Sequence, residues 1–139
     1  MLFDNETAEK AVKNTKGFLA QYEFEWLNAG CGRYMTRMWR VEEKEDGTEE
    51  YTSSGILFHS VPYNSKNVND LETEEWNKLG YPASLGCVRL CVADAKWIYT
   101  HAAPYSYVYT IEGEEDPGLW AKLKLPDLAL SVHSDPTDV

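Results

Sequence analysis

Cys87 and His59 are the two residues of this 139-residue chain whose types and settings best suit nucleophilic and acid–base chemistry. Cys87 follows "PASLG", a turn of small residues that would expose its side chain. A cysteine attacks as the thiolate, and because a free thiol has a pKa of about 8.5, it needs a base or a pKa-lowering environment. His59 follows the apolar run "ILF", so its imidazole would stand at the mouth of a buried strand, where it could act as a general base.

Residue types alone leave other interpretations of these two residues open. A free cysteine is often a small buried apolar residue, and a histidine at a strand end is often structural. Cys87 and Cys91 have a spacing that zinc sites can use, but no second Cys/His pair matches them, so a metal is not expected. Three cysteines are also too few for a disulfide framework. The weaker candidates for chemistry are Cys31, Cys91, His101 and His133.

The turn before Cys87 could serve the reaction itself. Gly86 lets a substrate approach the backbone closely. Successive N–H groups in such a turn can stabilise the negative charge of a tetrahedral intermediate. If the chain is extended there, Arg89 points to the same side as Cys87 and adds positive potential.

The elements that must position these residues are short and mixed, with strands predominating. Five Trp and nine Tyr favour an architecture with much sheet. The patterns predict helices over 6–14, 69–80 and 92–102, strands over 33–41, 54–63 and 105–111, and a hairpin turn at Asp46 and Gly47. The stretch after residue 112 is acidic, contains proline and is expected to wrap loosely over one domain spanning residues 1–139.

Bulk composition excludes some partners. The net charge of −10 leaves no basic patch for nucleic acid or for an anionic membrane surface. No apolar run is long enough to span a bilayer, and the start "MLFDNETAEKAVKN" has no apolar core like that of a secretory signal.

Three segments together resemble the catalytic domain of the L,D-transpeptidases (YkuD-type): "FHSVPY", "SLGCVRL" and "DAKWIY". The resemblance covers residues 15–111, leaving 112–139 as a C-terminal tail. Its specific positions are seven: His59, Ser60, Ser84, Gly86, Cys87, Val88 and Arg89. It implies a mainly β fold, a curved β-sandwich or open barrel with a few short peripheral helices.

The resemblance also implies a reaction on peptidoglycan stem peptides without a cofactor or metal. The Cys87 thiolate would attack the carbonyl of the third stem residue, release the terminal D-Ala, and pass the acyl group to another stem as a 3→3 cross-link. His59 would be the base, oriented by the Ser60 backbone carbonyl. The implied oxyanion donors are the N–H groups of Leu85, Gly86 and Cys87. The implied substrate-binding residues are Tyr63, Ser84 and Arg89, with Arg89 either bracing the site or meeting a substrate carboxylate.

Several features depart from the family pattern. The spacer between His59 and Cys87 is long, and its predicted helix could form a lid. Leu85 stands where many members have histidine. The N-terminal hairpin of the family is expected to be missing or replaced by a helix, although "NTKGF" (14–18) resembles its remnant and the closing "DPTD" resembles a tail of clostridial-type members. An incomplete sheet would expose an edge, to be covered by the N-terminal helix, the tail or a second copy of the chain.

Two other functions stay open alongside the transpeptidase. Water as the acceptor would give an L,D-carboxypeptidase, and a module that kept the motif without activity would only bind peptidoglycan. A papain-like hydrolase is disfavoured because its cysteine precedes its histidine. The family implies action outside the cytoplasm, at the cell wall.

Overall fold

The computed structural model describes residues 18–24, 32–103, 106–109 and 113–139. Cys31 and the helix predicted over 6–14 lie outside these residues. Within them a five-stranded sheet has the order β4-β3-β2-β1-β5. Its strands are β1 Phe18–Phe24, β2 Met35–Glu43, β3 Glu49–Ser60, β4 Val88–Leu90 and β5 Tyr107–Val108.

Antiparallel pairing joins β1, β2, β3 and β5, and β4 alone is parallel to its neighbour. β2 and β3 form the hairpin predicted around Asp46 and Gly47, where the Asp46 carboxylate accepts the backbone N–H of Thr48. The strands predicted over 33–41 and 54–63 are confirmed, with β3 beginning earlier than expected. β1, which pairs with both β2 and β5, was not predicted.

The expectation of a mainly β fold is confirmed, because a sheet dominates the described residues and their helices are few and short. Within the described ranges this sheet is open, ending at the short strands β4 and β5. The sandwich or barrel that the resemblance implied is not seen in this part of the chain. Short edge strands offer few unpaired backbone groups to another chain.

Three helices accompany the sheet in the described residues: α1 Thr73–Trp76, α2 Val92–His101 and α3 Pro117–Leu123. The prediction of α2 is confirmed, whereas the helix predicted over 69–80 is only the four residues of α1. Its C-cap is Asn77, whose side-chain amide exchanges two hydrogen bonds with the backbone of Leu128, at 3.0 and 2.7 Å. None of the helices in the described ranges is both long and apolar enough to cross a membrane.

Two clusters of buried side chains form the core of the part of the chain that the structure describes. The larger contains Val61, Tyr63, Leu71, Trp76, Leu79 and Cys91, with Leu125 and Leu128 packed against it. The smaller contains Tyr34, Val92 and Ala95, so it joins α2 to the segment before β2. Burying these side chains supplies the main stabilisation of the fold.

The C-terminal segment, residues 124–139, is fixed to the body, and the expectation of a loose wrap is wrong. Trp76 Nε1 donates to the Pro126 carbonyl, and the Leu71 N–H donates to the His133 carbonyl. Asp135 is buried, and its carboxylate accepts the N–H of Val92, the first residue of α2. Because these contacts join residues far apart in sequence, no local sequence pattern predicts them.

Candidate active site

The parallel pairing of β3 with β4 brings the two sequence motifs together. His59 lies opposite Arg89, and Ser60 lies opposite Leu90. Cys87 stands immediately before β4, two residues ahead of Arg89, the register partner of His59. The long spacer therefore acts as the crossover connection that a parallel pair requires.

His59 is buried, with 4% of its surface exposed, and its ring is held by a backbone carbonyl. Nδ1 lies 2.6 Å from the carbonyl oxygen of Ser60. Because a carbonyl oxygen can only accept, Nδ1 carries the proton in the neutral ring, and Nε2 keeps a lone pair that can take a proton. Burial lowers the pKa of His59, and the nearby charge of Arg89 lowers it further, while the bond to Ser60 opposes both. The neutral, base-competent form is thus favoured at neutral pH.

Ser60 is itself held by the backbone of Arg33. The Ser60 N–H donates to the Arg33 carbonyl at 3.1 Å, and the Arg33 N–H donates to Ser60 Oγ at 2.8 Å. Gly32 has φ +65°, and a Cβ there would lie 2.8 Å from the Ser60 carbonyl oxygen and 2.7 Å from that of Val61. Only glycine permits so close an approach. Sequence reasoning missed Gly32 and Arg33, whose one signal was a glycine just ahead of the strand.

Cys87 is a free, partly exposed cysteine whose thiol contacts the carbonyl oxygen of Gly55 at 3.8 Å. Gly55 belongs to an irregularity of β3 opposite Met38 and Trp39, where the register shifts. Its φ of +70° suits glycine, and Ser54 Oγ pins the irregularity by donating to the Met38 carbonyl at 2.5 Å. Gly55 was not predicted as part of the site. Among the described residues its carbonyl, not the His59 ring, is the hydrogen-bond partner of the thiol.

Ser84 shapes the turn that precedes Cys87. Its hydroxyl donates to the Cys87 carbonyl at 2.6 Å and accepts the Gly86 N–H at 3.2 Å. Gly86 adopts φ +150°, a conformation that favours glycine, and Leu85 projects fully into solvent. The Gly86 N–H is thus engaged by Ser84 within the turn.

Arg89 is anchored by a carboxylate that sequence reasoning did not assign. Its Nη1 lies 2.5 Å from one oxygen of Glu75 in α1, and Lys78 Nζ lies 2.5 Å from the other. The two cations lower the pKa of Glu75, with the Lys78 bond the larger cause. Arg89 therefore links β4 to α1 through Glu75 in this structure.

A cavity of about 440 Å³ opens beside the thiol. It is lined by Cys87, the preceding turn, the ion-paired side chains and the turns after α1: Glu75, Lys78, Leu79, Gly80, Tyr81, Pro82, Ala83, Ser84, Val88 and Arg89. Residues of the expected lid thus form one wall, although most of them are turns and not helix. A cavity of this size can hold part of a peptide substrate.

Tyr63 is placed differently from the groove-lining position expected for it. It is 1% exposed and packs in the larger core cluster with Trp76 and Leu71. Burial, followed by the nearby charges of Asp135 and Asp138, raises its pKa. Tyr63 is therefore inaccessible to a substrate in this structure.

Cys91 differs from Cys87 in its surroundings. It is buried in the core, and burial raises the pKa of its thiol. The described ranges contain no group of three or more His, Cys, Asp or Glu side chains that could hold a metal ion. Cys91 is a packing residue at the start of α2.

The paired His and Cys motifs lie within a stretch that matches a known family model. Residues 10–112 match the model of the YkuD L,D-transpeptidase catalytic domain. Because that match covers most of the chain, the chain belongs to this family.

A curated relative gives the same assignment. The chain is 39% identical over 71 residues to the protein named "Putative L,D-transpeptidase YciB" of Bacillus subtilis (strain 168). That alignment covers 48% of this chain and 36% of the relative, so the chain spans about a third of the relative's length. No solved structure matches the chain significantly.

Proposed function

We propose that the protein is an L,D-transpeptidase that forms 3→3 cross-links between peptidoglycan stems through a thioester on Cys87. The observation that carries the proposal is the His59 ring, whose Nδ1 is held 2.6 Å from the Ser60 carbonyl in the strand that pairs with β4, the strand that Cys87 immediately precedes. A buried neutral imidazole of fixed tautomer is the kind of base that acyl transfer through a cysteine needs.

The first half-reaction forms the thioester. The thiol leaves the Gly55 carbonyl and gives its proton to His59 Nε2, and sulfur attacks the carbonyl carbon of the third stem residue. The N–H groups of Leu85 and Cys87 stabilise the oxyanion. The C–N bond to the terminal D-Ala breaks, and the proton on His59 passes to the departing amine.

The second half-reaction consumes the thioester. The side-chain amine of a second stem, having given a proton to His59 Nε2, attacks the carbonyl carbon. The C–S bond breaks, and sulfur recovers a proton as the thiol. Arg89 and Lys78 are both paired with Glu75, so a substrate carboxylate would compete with Glu75 for them.

The family acts on the cell wall, and we place this protein's site of action there, on stem peptides outside the cytoplasm. A carbapenem, whose strained carbonyl mimics the acyl donor, is the expected covalent inhibitor of Cys87.

Incubation with a disaccharide-tetrapeptide tests the proposal directly. Mass spectrometry should detect loss of D-Ala and 3→3 dimers with the natural chain and neither with Cys87→Ala. Cys91→Ala is the matched control, because it removes the buried thiol and should leave the products unchanged. Absence of any product, under conditions in which another L,D-transpeptidase works, would refute transpeptidation.

The same experiment separates the two alternative functions. Tripeptide without dimers would identify an L,D-carboxypeptidase, with water replacing the second amine. A protein that binds peptidoglycan but forms no adduct with a carbapenem at Cys87 would be an inactive binding module.

A further inference from the structure

We propose that Asp138 is a positioning residue for the His59 base, acting through Arg33 and Ser60. The proposal rests on the proposed function, since it concerns the base of that reaction. It gives the C-terminal segment a role in positioning the base, although this segment lies outside the stretch matched by the family model.

The first link is the contact between the Asp138 carboxylate and the Arg33 guanidinium. Arg33 Nη1 lies 2.6 and 2.7 Å from the two carboxylate oxygens, and both side chains are partly buried. Burial by itself would lower the pKa of Arg33, yet the bond to Asp138 and its charge raise it overall. Arg33 also lies over the ring of Tyr34, with its guanidinium carbon 4.9 Å from the centroid. The side chain is thus fixed on two sides.

The second link is the backbone of Arg33. The two hydrogen bonds it makes with Ser60 involve the N–H and the hydroxyl of that residue. They leave the Ser60 carbonyl free to accept from His59 Nδ1, at 2.6 Å. A shift of Arg33 would therefore move the peptide group that sets the direction of His59 Nε2. Groups that orient a catalytic ligand or base in this way have large effects on rate without touching the substrate.

Asp138 is held in place by the same segment that supplies it. The Asp138 N–H donates to the Asp135 carbonyl at 3.1 Å, closing a turn. Asp135 and Thr137 accept the first two N–H groups of α2, those of Val92 and Ala93, at 2.9 and 3.0 Å. The turn is therefore fixed to α2, so Asp138 can act as a fixed support for Arg33.

Asp138→Ala removes the support and should slow the chemistry more than binding. We expect kcat for D-Ala release to fall about tenfold with KM changed less than about twofold, because a misplaced base costs rate and not affinity. Asp138→Glu should recover part of the rate. Arg33→Ala combined with Asp138→Ala should be no slower than Arg33→Ala alone, because both act through one contact. Asp127→Asn, which removes an exposed ion pair with Lys124 in the same segment, is the matched control and should not change kcat.

A measurement that needs no substrate follows His59 directly. In protein labelled with ¹⁵N-histidine, the Nδ1–H of His59 should exchange slowly with water, and its exchange should be at least about tenfold faster in Asp138→Ala. If that variant does not fold, Asp138→Asn, which keeps the shape and weakens the contact, takes its place.

The exchange rate and kcat together separate a positioning role of Asp138 from a purely structural one. Unchanged exchange and unchanged kcat in a folded variant overturn the positioning role, and so does a loss confined to KM. If the natural chain releases no D-Ala but exchange still depends on Asp138, the proposed reaction fails and the coupling to His59 stands. An effect on melting temperature alone would show that Asp138 is only structural.

Discussion

The capping of α2 by Asp135 leads to the sharpest stability prediction. α2 begins after Cys91, whose side chain makes no capping hydrogen bond. Asp135 supplies the acceptor instead, from a position 43 residues further along the chain. Asp135→Ala should therefore destabilise the fold by removing the cap at the start of α2, which is distant from residue 135 in sequence.

The magnitude follows from what the substitution leaves unpaired. Loss of an N-cap acceptor costs about 1 kcal/mol and up to about 2 in folded proteins. A hydrogen bond to a charged acceptor is worth about 1.5–3 kcal/mol, and the Val92 N–H would stay buried. Asp135 also accepts the N–H and hydroxyl of Thr137, at 2.7 and 2.6 Å, so the turn weakens too. We expect a loss of about 2–3 kcal/mol, which for a domain of this size lowers the melting temperature by about 7–10 °C.

Urea unfolding followed by circular dichroism measures this loss. Asp116→Ala is the matched control, because Asp116 caps α3 through the Leu119 N–H at 2.9 Å but on an exposed helix with no buried residue. It should cost less than half as much. Asp135→Asn keeps an acceptor oxygen, and its loss of unfolding free energy should lie between those of Asp135→Ala and Asp116→Ala. If Asp135→Ala lost less than about 0.5 kcal/mol, or no more than the control, capping by the C-terminal segment would be refuted.

Three further predictions concern the base, the Ser60 contact and the ion pairs of α1. Because burial lowers the pKa of His59 below 6.5 and the base must be neutral, the acid limb of kcat/KM should lie below pH 6.5; a limb at or above that value would contradict the reasoning. Gly32→Ala should destabilise the fold by at least about 3 kcal/mol, since strain from a positive φ adds to its clash with Ser60, whereas Gly47→Ala, also at positive φ but in open space, should cost only about 1–2 in the same urea titration. The lowered pKa of Glu75 contributes stability above the ordinary value of 4.5, and this contribution is lost as pH falls through the lowered pKa. The unfolding free energy of Glu75→Gln should therefore fall less than that of the natural chain when the pH is lowered from 7 into the acidic range. An equal fall would show that the ion pairs of Glu75 do not contribute to this pH dependence.

Features with a local signal could be predicted from the sequence. The apolar run ending at His59 gave β3, the helix after Cys91 was placed almost to the residue, and Asp46-Gly47 marked the hairpin. The motif around Cys87 identified the candidate nucleophile and its turn. Each of these depends on residues within a few positions of one another.

Features that depend on distant partners could not be predicted. Asn77, the C-cap of α1, bonds to the backbone of Leu128, and a helix pattern over 69–80 does not record that distant partner. Tyr63 follows the His59 motif closely, yet it faces a core that includes side chains of the C-terminal segment. The Gly55 carbonyl reaches Cys87 only because β3 is irregular opposite β2 and parallel to β4.

Cys91 shows why the family motif and the C-terminal segment have to be considered together. Cysteine is a poor N-cap residue, and the Cys91 side chain makes no capping hydrogen bond. In this chain the small apolar side chain packs in the core, and the acceptor comes from Asp135 instead. The hydrogen bond from the Val92 N–H to Asp135 replaces the missing Cys91 cap, and it holds the C-terminal segment against α2. The same short turn carries Asp138, which pairs with Arg33 and, through Ser60, bears on His59. Capping and positioning of the base therefore have a common support, and an Asp135 substitution that loosens the turn should lower kcat as well as stability.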